Sequence, residues 1–112
     1  MSVRDLPRES LDGWAAAAGR ELPSVRLERR IDRLALQLQT VRSARQRGEL
    51  FALITRLKAD RRLEVQIETE AWKLSVVESE ADQRAAFEAM QRLIAQRTPE
   101  RVREMEREQG LG

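Results

Sequence analysis

The chain has 112 residues, of which 36% are charged and 4% aromatic, and its formal net charge is +2. This length is typical of a single domain, and the scarcity of aromatic side chains favours an elongated shape or dependence on a partner chain. The absence of Cys, His and Tyr excludes disulfides, imidazole bases and nearly all transition-metal sites. We therefore predict a protein that is not an enzyme and that uses no cofactor or metal.

The charges are sorted into blocks along the chain. Residues 24–62 carry eleven Arg or Lys against four Asp or Glu, whereas residues 63–82 carry one Lys against six acids. Neighbouring blocks of opposite sign can neutralise each other within one chain or between two, or they can leave a basic face for a polyanion. The two blocks are expected to lie side by side in antiparallel contact.

Residues 1–23 contain two Pro and two Gly, which predicts an N-terminal arm. Within this arm, Leu11 and Trp14 are three residues apart and would share one face of a short helix. We expect Trp14 to dock the arm on the main body, with a disordered tail as the alternative. The charged first residues predict no secretory signal, and no apolar stretch is long enough for a membrane span, so we expect a cytoplasmic protein without a membrane partner.

The clearest helical signal follows the arm, with Ser24 as candidate N-cap. Apolar residues then recur in a heptad pattern, which is typical of one helix packing against another. This seam consists of Leu27, Ile31, Leu34, Leu38 and Val41. It suits a helix in a hairpin, bundle or dimer, and we predict a homodimer in which these residues form the interface.

The same region carries the arginines that are candidates for contact with a partner or a polyanion. They are Arg26, Arg29, Arg30, Arg33, Arg42, Arg45 and Arg47. Guanidinium groups at this density suit phosphate contacts. However, the acidic block can pair with them, and no base-stacking aromatic residue is interleaved. The sequence favours a solvated or internally paired face over polyanion contact and over recognition of an acidic protein surface.

Gly48 predicts a turn or kink that ends the first helix near residue 47. After it, a second apolar stripe predicts a core helix that continues to about residue 78. Residues 62–71 also alternate as a half-buried strand would, and that strand would have to pair across a dimer. The helix is favoured, because no Gly, Pro or Asn occurs between Gly48 and Pro99 to end it.

Two further helix starts are marked by N-cap residues, Ser79 and Thr98, and Pro99 follows the second of them. They predict a helix over residues 80–97 and a short C-terminal helix and tail over 98–112. The fold prediction is all-α, an elongated helical hairpin or coiled-coil-like bundle of three to four helices with its helical domain at 24–97. The minority alternative is an α+β fold with the strand at 62–71.

Glu64 and Glu68 lie four residues apart, so two carboxylates would share one helix face. Such a pair can bind a hard cation such as Mg²⁺. We favour the simpler interpretation, which is a solvated acidic face.

The run from Arg42 to Leu50 is loosely similar to a helix of some phage small terminase subunits, and the run from Thr98 to Glu106 resembles the ends of short phage or mobile-element proteins. The helix-turn-helix of the terminase subunits is not recognisable here, so the resemblance transfers no function. We predict a small helical protein that acts through protein–protein interaction, as an adaptor, inhibitor or assembly factor. The alternative is a nucleic-acid-binding accessory protein that uses the Arg-rich helix face.

Overall fold

The computed structural model of the chain describes residues 21–110, and four helices cover 84% of them. These helices are α1 (Pro23–Thr40), α2 (Ala44–Val76), α3 (Glu80–Ile94) and α4 (Pro99–Glu108). The prediction of an all-α fold is confirmed. The alternative strand at 62–71 is wrong, because these residues form the middle of α2. The predicted arm helix and the docking of Trp14 lie outside the described residues.

The longest helix, α2, organises the molecule. Its 33 residues extend over about 50 Å. Short connections at 41–43 and 77–79 reverse the chain, so α1 and α3 fold back from its two ends and pack along it. The Cα radius of gyration is 16.8 Å, compared with about 13 Å for a compact domain of 100 residues. The predicted elongated shape is therefore confirmed.

The apolar core closes the hairpin formed by α1 and α2. Leu27 and Ile31 of α1 are buried against Ile54 and Leu57 of α2. The rest of the seam is less buried: Leu34 and Leu38 pack at the edge of this core, and Val41 lies beyond the last residue of α1. The seam thus packs within one chain, as in the hairpin that its spacing allowed, and the homodimer stays a prediction.

The turn between the first two helices lies earlier than predicted, at residues 41–43 instead of Gly48. Ser43 is the N-cap of α2, and its hydroxyl accepts a hydrogen bond of 3.3 Å from the backbone N–H of Gln46. At the other side of the turn, the Arg47 guanidinium donates to the carbonyls of Leu38 (2.9 Å) and Val41 (3.1 Å). These contacts satisfy backbone groups that the two helix ends would otherwise leave unpaired.

The start of α1 is held by another helix. The prediction of Ser24 as N-cap is wrong, because Leu22 is the N-cap residue and Pro23 begins the helix. The backbone N–H and the hydroxyl of Ser24 instead donate to the two carboxylate oxygens of Glu68, at 2.9 and 2.6 Å. A carboxylate from α2 thereby satisfies free donors in the first turn of α1, where negative charge is also favourable.

The other two predicted N-caps are confirmed. The Ser79 hydroxyl accepts from the N–H of Asp82 at 3.0 Å, and the Thr98 hydroxyl accepts from the N–H of Arg101 at 3.1 Å. The third helix ends at Ile94, which is three residues earlier than predicted. The short connection that follows brings α4 back to the hairpin.

Gly48 lies inside α2, on an exposed surface where a Cβ would meet no atom within 4 Å. We expect Gly48→Ala to raise the free energy of unfolding by about 0.5–1 kcal/mol, because Gly loses more backbone entropy than Ala when a helix forms. Urea denaturation followed by circular dichroism measures this difference. A lower stability of Gly48→Ala would contradict the placement of Gly48 inside a regular helix and would favour the turn that the sequence predicted there.

Candidate functional site

A cluster of charged side chains joins α1, α2 and α4. We call it the charge cluster, and its members are Arg30, Arg56, Asp60, Glu64, Arg97, Arg101 and Glu104. Four guanidinium groups face three carboxylates, which leaves one positive charge in excess. A charge that is buried away from water costs free energy unless it is paired. The contacts of each member therefore decide whether that member stabilises or destabilises the folded protein.

Glu64 is the most buried carboxylate of the cluster, with 1% of its surface exposed. Arg97 donates to both of its oxygens, each at 2.8 Å, from Nε and Nη2. The Nε of Arg101 lies 3.7 Å from the same carboxylate. The two-point contact with Arg97 is the strong form of a charge-assisted hydrogen bond, and it attaches the α3–α4 connection to the middle of α2.

Glu104 connects α4 to the hairpin. One of its oxygens accepts hydrogen bonds from Arg56 at 2.8 Å and from Arg30 at 3.0 Å. Burial raises the pKa of Glu104, but the hydrogen bonds and the positive charges of Arg56 and Arg30 together outweigh it, so that the pKa lies below its usual range. The carboxylate therefore stabilises the folded protein when it is charged.

Asp60 is in the opposite situation. Burial raises the pKa of Asp60, and the charges of Arg56 and Arg101 offset only part of this effect. Its one ion pair among residues 21–110, with Arg56, is long at 3.4 Å. The charged form of Asp60 is thus disfavoured by folding, whereas that of Glu104 is favoured.

Arg101 is enclosed in the cluster with 1% of its surface exposed. None of its three guanidinium nitrogens has a hydrogen-bond partner among residues 21–110. The charge of Glu64 is its nearest compensation. A buried donor without an acceptor costs about 1–3 kcal/mol. Arg101 therefore destabilises the folded protein, whereas the other members of the cluster hold α4 in place.

The predicted solvated acidic face is wrong for Glu64, which is buried against Arg97. Glu68 is occupied as well, because it caps the start of α1 through Ser24. Within residues 21–110, no group of three or more acidic side chains is placed to hold a metal ion. Both carboxylates therefore make contacts that hold helices together.

The structure gives most of the seven candidate arginines a partner within the chain. Arg26, Arg29, Arg30 and Arg45 form ion pairs with Glu108, Glu21, Glu104 and Glu49 respectively, and Arg47 caps the end of α1. Across residues 21–110, Arg33 and Arg42 are exposed and have no ion-pair partner. The helices that carry the two charge blocks pack side by side in the hairpin, as expected. Among residues 21–110, however, every ion pair of the basic block uses an acid outside residues 63–82, so the two blocks do not neutralise each other through ion pairs.

An open groove runs between the two helices of the hairpin, with a volume of about 480 Å³. We call it the α1–α2 groove, and its lining residues are Glu28, Ile31, Asp32, Lys58, Arg61, Arg62, Val65 and Gln66. Acids line it from α1 and bases from α2, while Ile31 and Val65 contribute apolar surface between them. Glu28 and Arg61 approach to 3.7 Å across it.

A second recess continues this groove along α2. It has a volume of about 250 Å³ and is lined by Val65, Glu68, Thr69 and Trp72. We call it the Trp72 recess. Its residues follow the helical spacing of three and four, and Val65 belongs to both cavities. The two cavities therefore form one strip on the surface of α2, from Lys58 to Trp72.

Sequence reasoning missed this strip because it requires the register of α1 against α2. The spacing of the charged residues in the sequence is nevertheless consistent with the strip. Glu28 and Asp32 lie four residues apart on one helix, and Lys58, Arg62 and Val65 recur at helical spacing on the next. Only the packing of the seam shows that these two faces meet.

Comparisons with protein-family models, curated proteins and solved structures found no match. In the part of the chain that the structure describes, no helix combines the length and the apolar character that crossing a membrane requires. Function must therefore follow from the chemistry of the groove and of the charged surfaces.

The contrast between Asp60 and Glu104 can be measured. Glu104→Gln should lower the free energy of unfolding at pH 7 by about 1.5–3 kcal/mol, the range for hydrogen bonds to charged groups. Because the pKa of Glu104 is lowered, this loss is present above its ordinary value of 4.5 and disappears as the pH falls through the folded pKa. Urea titrations at pH 7 and at lower pH test this.

Asp60→Asn is the matched variant, because it also exchanges a buried carboxylate for an amide. The pKa of Asp60 is raised, so its charge costs stability above that pKa, and we expect the variant to be at least as stable as the parent at pH 7. The difference should narrow as the pH falls through this raised pKa, and it should be gone below the ordinary value of 3.8, where Asp60 is protonated in both the folded and the unfolded chain. Equal losses in both variants at pH 7 would contradict this account of the cluster.

Proposed function

We propose that the protein is a non-enzymatic helical adaptor, inhibitor or assembly factor that binds a segment of another protein in the α1–α2 groove. This proposal rests on the opposite charges of the two sides of the groove. Glu28 and Asp32 face the groove from α1, and Lys58, Arg61 and Arg62 face it from α2. A protein segment can match both signs with its own charged side chains.

A nucleic acid fits this groove poorly. Its phosphates would gain from Lys58 and Arg62 but would meet Glu28 and Asp32 on the opposite side. At about 4 Å, one unit charge repels another by roughly 4 kcal/mol near a protein surface. Two acids on one side of the groove therefore offset much of what the bases would contribute.

The dimensions of the strip suit a helix of moderate length. From Lys58 to Trp72, α2 advances about 21 Å, which corresponds to four turns of a partner helix. Ile31, Val65 and Trp72 offer apolar surface along this distance. Grooves of this kind bind amphipathic helices whose apolar residues recur at spacings of three and four.

The alternative function, a nucleic-acid-binding accessory protein, is supported by a different observation. Arg33 and Arg42 are exposed and have no ion-pair partner among residues 21–110. Exposed guanidinium groups suit phosphate contacts, and such binding weakens steeply with salt.

Homodimer formation, cytoplasmic localisation and a phage or mobile-element origin are further parts of this proposal. For self-association, the exposed apolar side chains are more suitable than the buried seam. Leu36 and Phe51 each expose 65% of their surface, so a second copy could cover them without disturbing the core.

Two variants separate the proposed function from its alternative. Val65→Glu places a charge in the groove, and we expect it to abolish capture of the partner from extracts of the native host. Val102→Glu is the matched control, because Val65 and Val102 are equally exposed at 39% and Val102 lies on α4. Quantitative pull-down with mass spectrometry measures the difference. Equal capture by both variants would contradict binding in the groove.

Binding to DNA is measured with the same proteins. Fluorescence anisotropy with labelled duplex and single-stranded DNA at about 50 mM and 200 mM salt covers the range where phosphate contacts are most salt-sensitive. We expect no salt-dependent binding. Tight binding at low salt that is lost in Arg33→Glu and Arg42→Glu, but retained in Val65→Glu, would establish the alternative instead.

A further inference from the structure

The two connections that flank α2 lie about 50 Å apart, at opposite ends of this helix, and their surroundings carry opposite charge. The connection at 41–43 and the eight residues on each side of it, residues 33–51, carry four Arg against one Glu. The connection at 77–79 with the same margins, residues 69–87, carries four acids against two bases. We call these two regions the basic tip and the acidic tip.

The charges of the two tips do not neutralise each other within one chain. In the part of the chain that the structure describes, Arg33 and Arg42 of the basic tip are exposed and have no ion-pair partner. The same holds for three acids of the acidic tip, Glu78, Glu80 and Asp82. The separation of the tips is well beyond the screening length of about 10 Å at 0.1 M salt. Neutralisation of either tip therefore requires a second molecule.

Each tip also exposes large apolar side chains. Leu36 and Phe51 of the basic tip each expose 65% of their surface, and Phe87 of the acidic tip exposes 48%. Phe51 follows the N-cap residue Ser43 by eight positions, and Phe87 follows the N-cap residue Ser79 by the same number. The two aromatic residues thus lie at equal distances, about 12 Å, from their turns. Contact between two tips would remove these side chains from water, which favours association.

We propose that two copies of the chain associate side by side and antiparallel, with the basic tip of each copy against the acidic tip of the other. A second copy matches the charges at both ends, because it carries the opposite charge at the same separation of about 50 Å. A parallel pair would place like charges against each other at both tips. The antiparallel pair has a twofold axis and makes the same contact twice. This inference rests on the self-association included in the proposed function and is independent of binding in the α1–α2 groove.

Sedimentation equilibrium of the full chain tests the association. We expect a dimer at about 50 mM salt and a dissociation constant that is at least about tenfold higher at about 500 mM salt, because salt screens the charges of the tips. A protein that stays monomeric up to about 1 mM would overturn the proposal. Assemblies that grow beyond the dimer would overturn the closed antiparallel arrangement.

Two variants test which tips meet. Phe51→Ser and Phe87→Ser each remove one exposed side chain from both contacts of the dimer, and we expect each to raise the dissociation constant at least about tenfold. An equal mixture of the two variants can form a dimer with one unaltered contact, so it should dimerise more tightly than either variant alone. Val102→Ser on α4 is the control, because Val102 is exposed but belongs to neither tip.

The same variants distinguish a dimer of a different kind. If Phe51→Ser dissociates the dimer and Phe87→Ser leaves it unchanged, two basic tips face each other. Self-association then stands, whereas the antiparallel pairing is wrong.

Energy transfer between labelled tips measures the orientation directly. The chain has no Cys, so Gln39→Cys in the basic tip and Ala85→Cys in the acidic tip, both exposed positions, each accept one dye. We expect more transfer from a donor at position 39 to an acceptor at position 85 of the other copy than between two copies labelled at 39, whose basic tips lie about 50 Å apart in the antiparallel pair. The reverse order, or equal transfer in both mixtures, would overturn the proposal.

The dimer assays need no further partner, so their result is separate from the capture experiment on the groove. If the parent is monomeric and Val65→Glu abolishes capture, the groove binds a partner and the antiparallel dimer is wrong. If the tip variants dissociate the dimer and capture does not depend on Val65, the dimer stands and binding in the groove is wrong.

Discussion

The contact of Glu64 with Arg97 and Arg101 is the interaction on which the arrangement of the helices depends. A carboxylate with 1% exposure in the middle of α2 has lost its hydration, and this loss costs several kcal/mol unless partners replace the water. The bidentate contact of Arg97 supplies two hydrogen bonds of 2.8 Å. Because Arg97 belongs to the connection between α3 and α4, the same contact fixes where the chain returns to the hairpin and where α4 begins.

The attachment of α4 follows from this constraint. Its buried residues are Arg101 and Glu104, both charged, so α4 adheres to the hairpin through ion pairs more than through an apolar face. Loss of a charge-assisted hydrogen bond costs about 1.5–3 kcal/mol, a large part of the roughly 5–15 kcal/mol that stabilises a typical domain. The hairpin, in contrast, has the apolar core around Leu57, and it carries the α1–α2 groove. The two parts of the molecule thus rest on different kinds of interaction.

Periodicity in the sequence predicts the helices and the hairpin core well, because apolar residues at spacings of three and four must face another helix. It places the first turn wrongly, since an exposed Gly is tolerated inside a long helix, while the capping pattern from Ser43 to Gln46 marks the true start of α2. The charge cluster could not be predicted. Pairing of Glu64 with Arg97 depends on how α3 returns along α2, and local sequence assigns such a carboxylate to the solvent. The groove was missed for the same reason, because its two sides come from different helices.

Native-state amide hydrogen exchange in Glu64→Gln tests the central role of this carboxylate most directly, with the exposed Glu49→Gln as control. Loss of the charge removes the ion-pair partner of Arg97 and Arg101, so we expect the amides of α4 and of residues 95–98 to lose protection. Those of α1 and of the first half of α2 should keep it, because the core around Leu57 is intact. Full protection of α4 in Glu64→Gln, or an equal loss of protection in all four helices, would contradict the account.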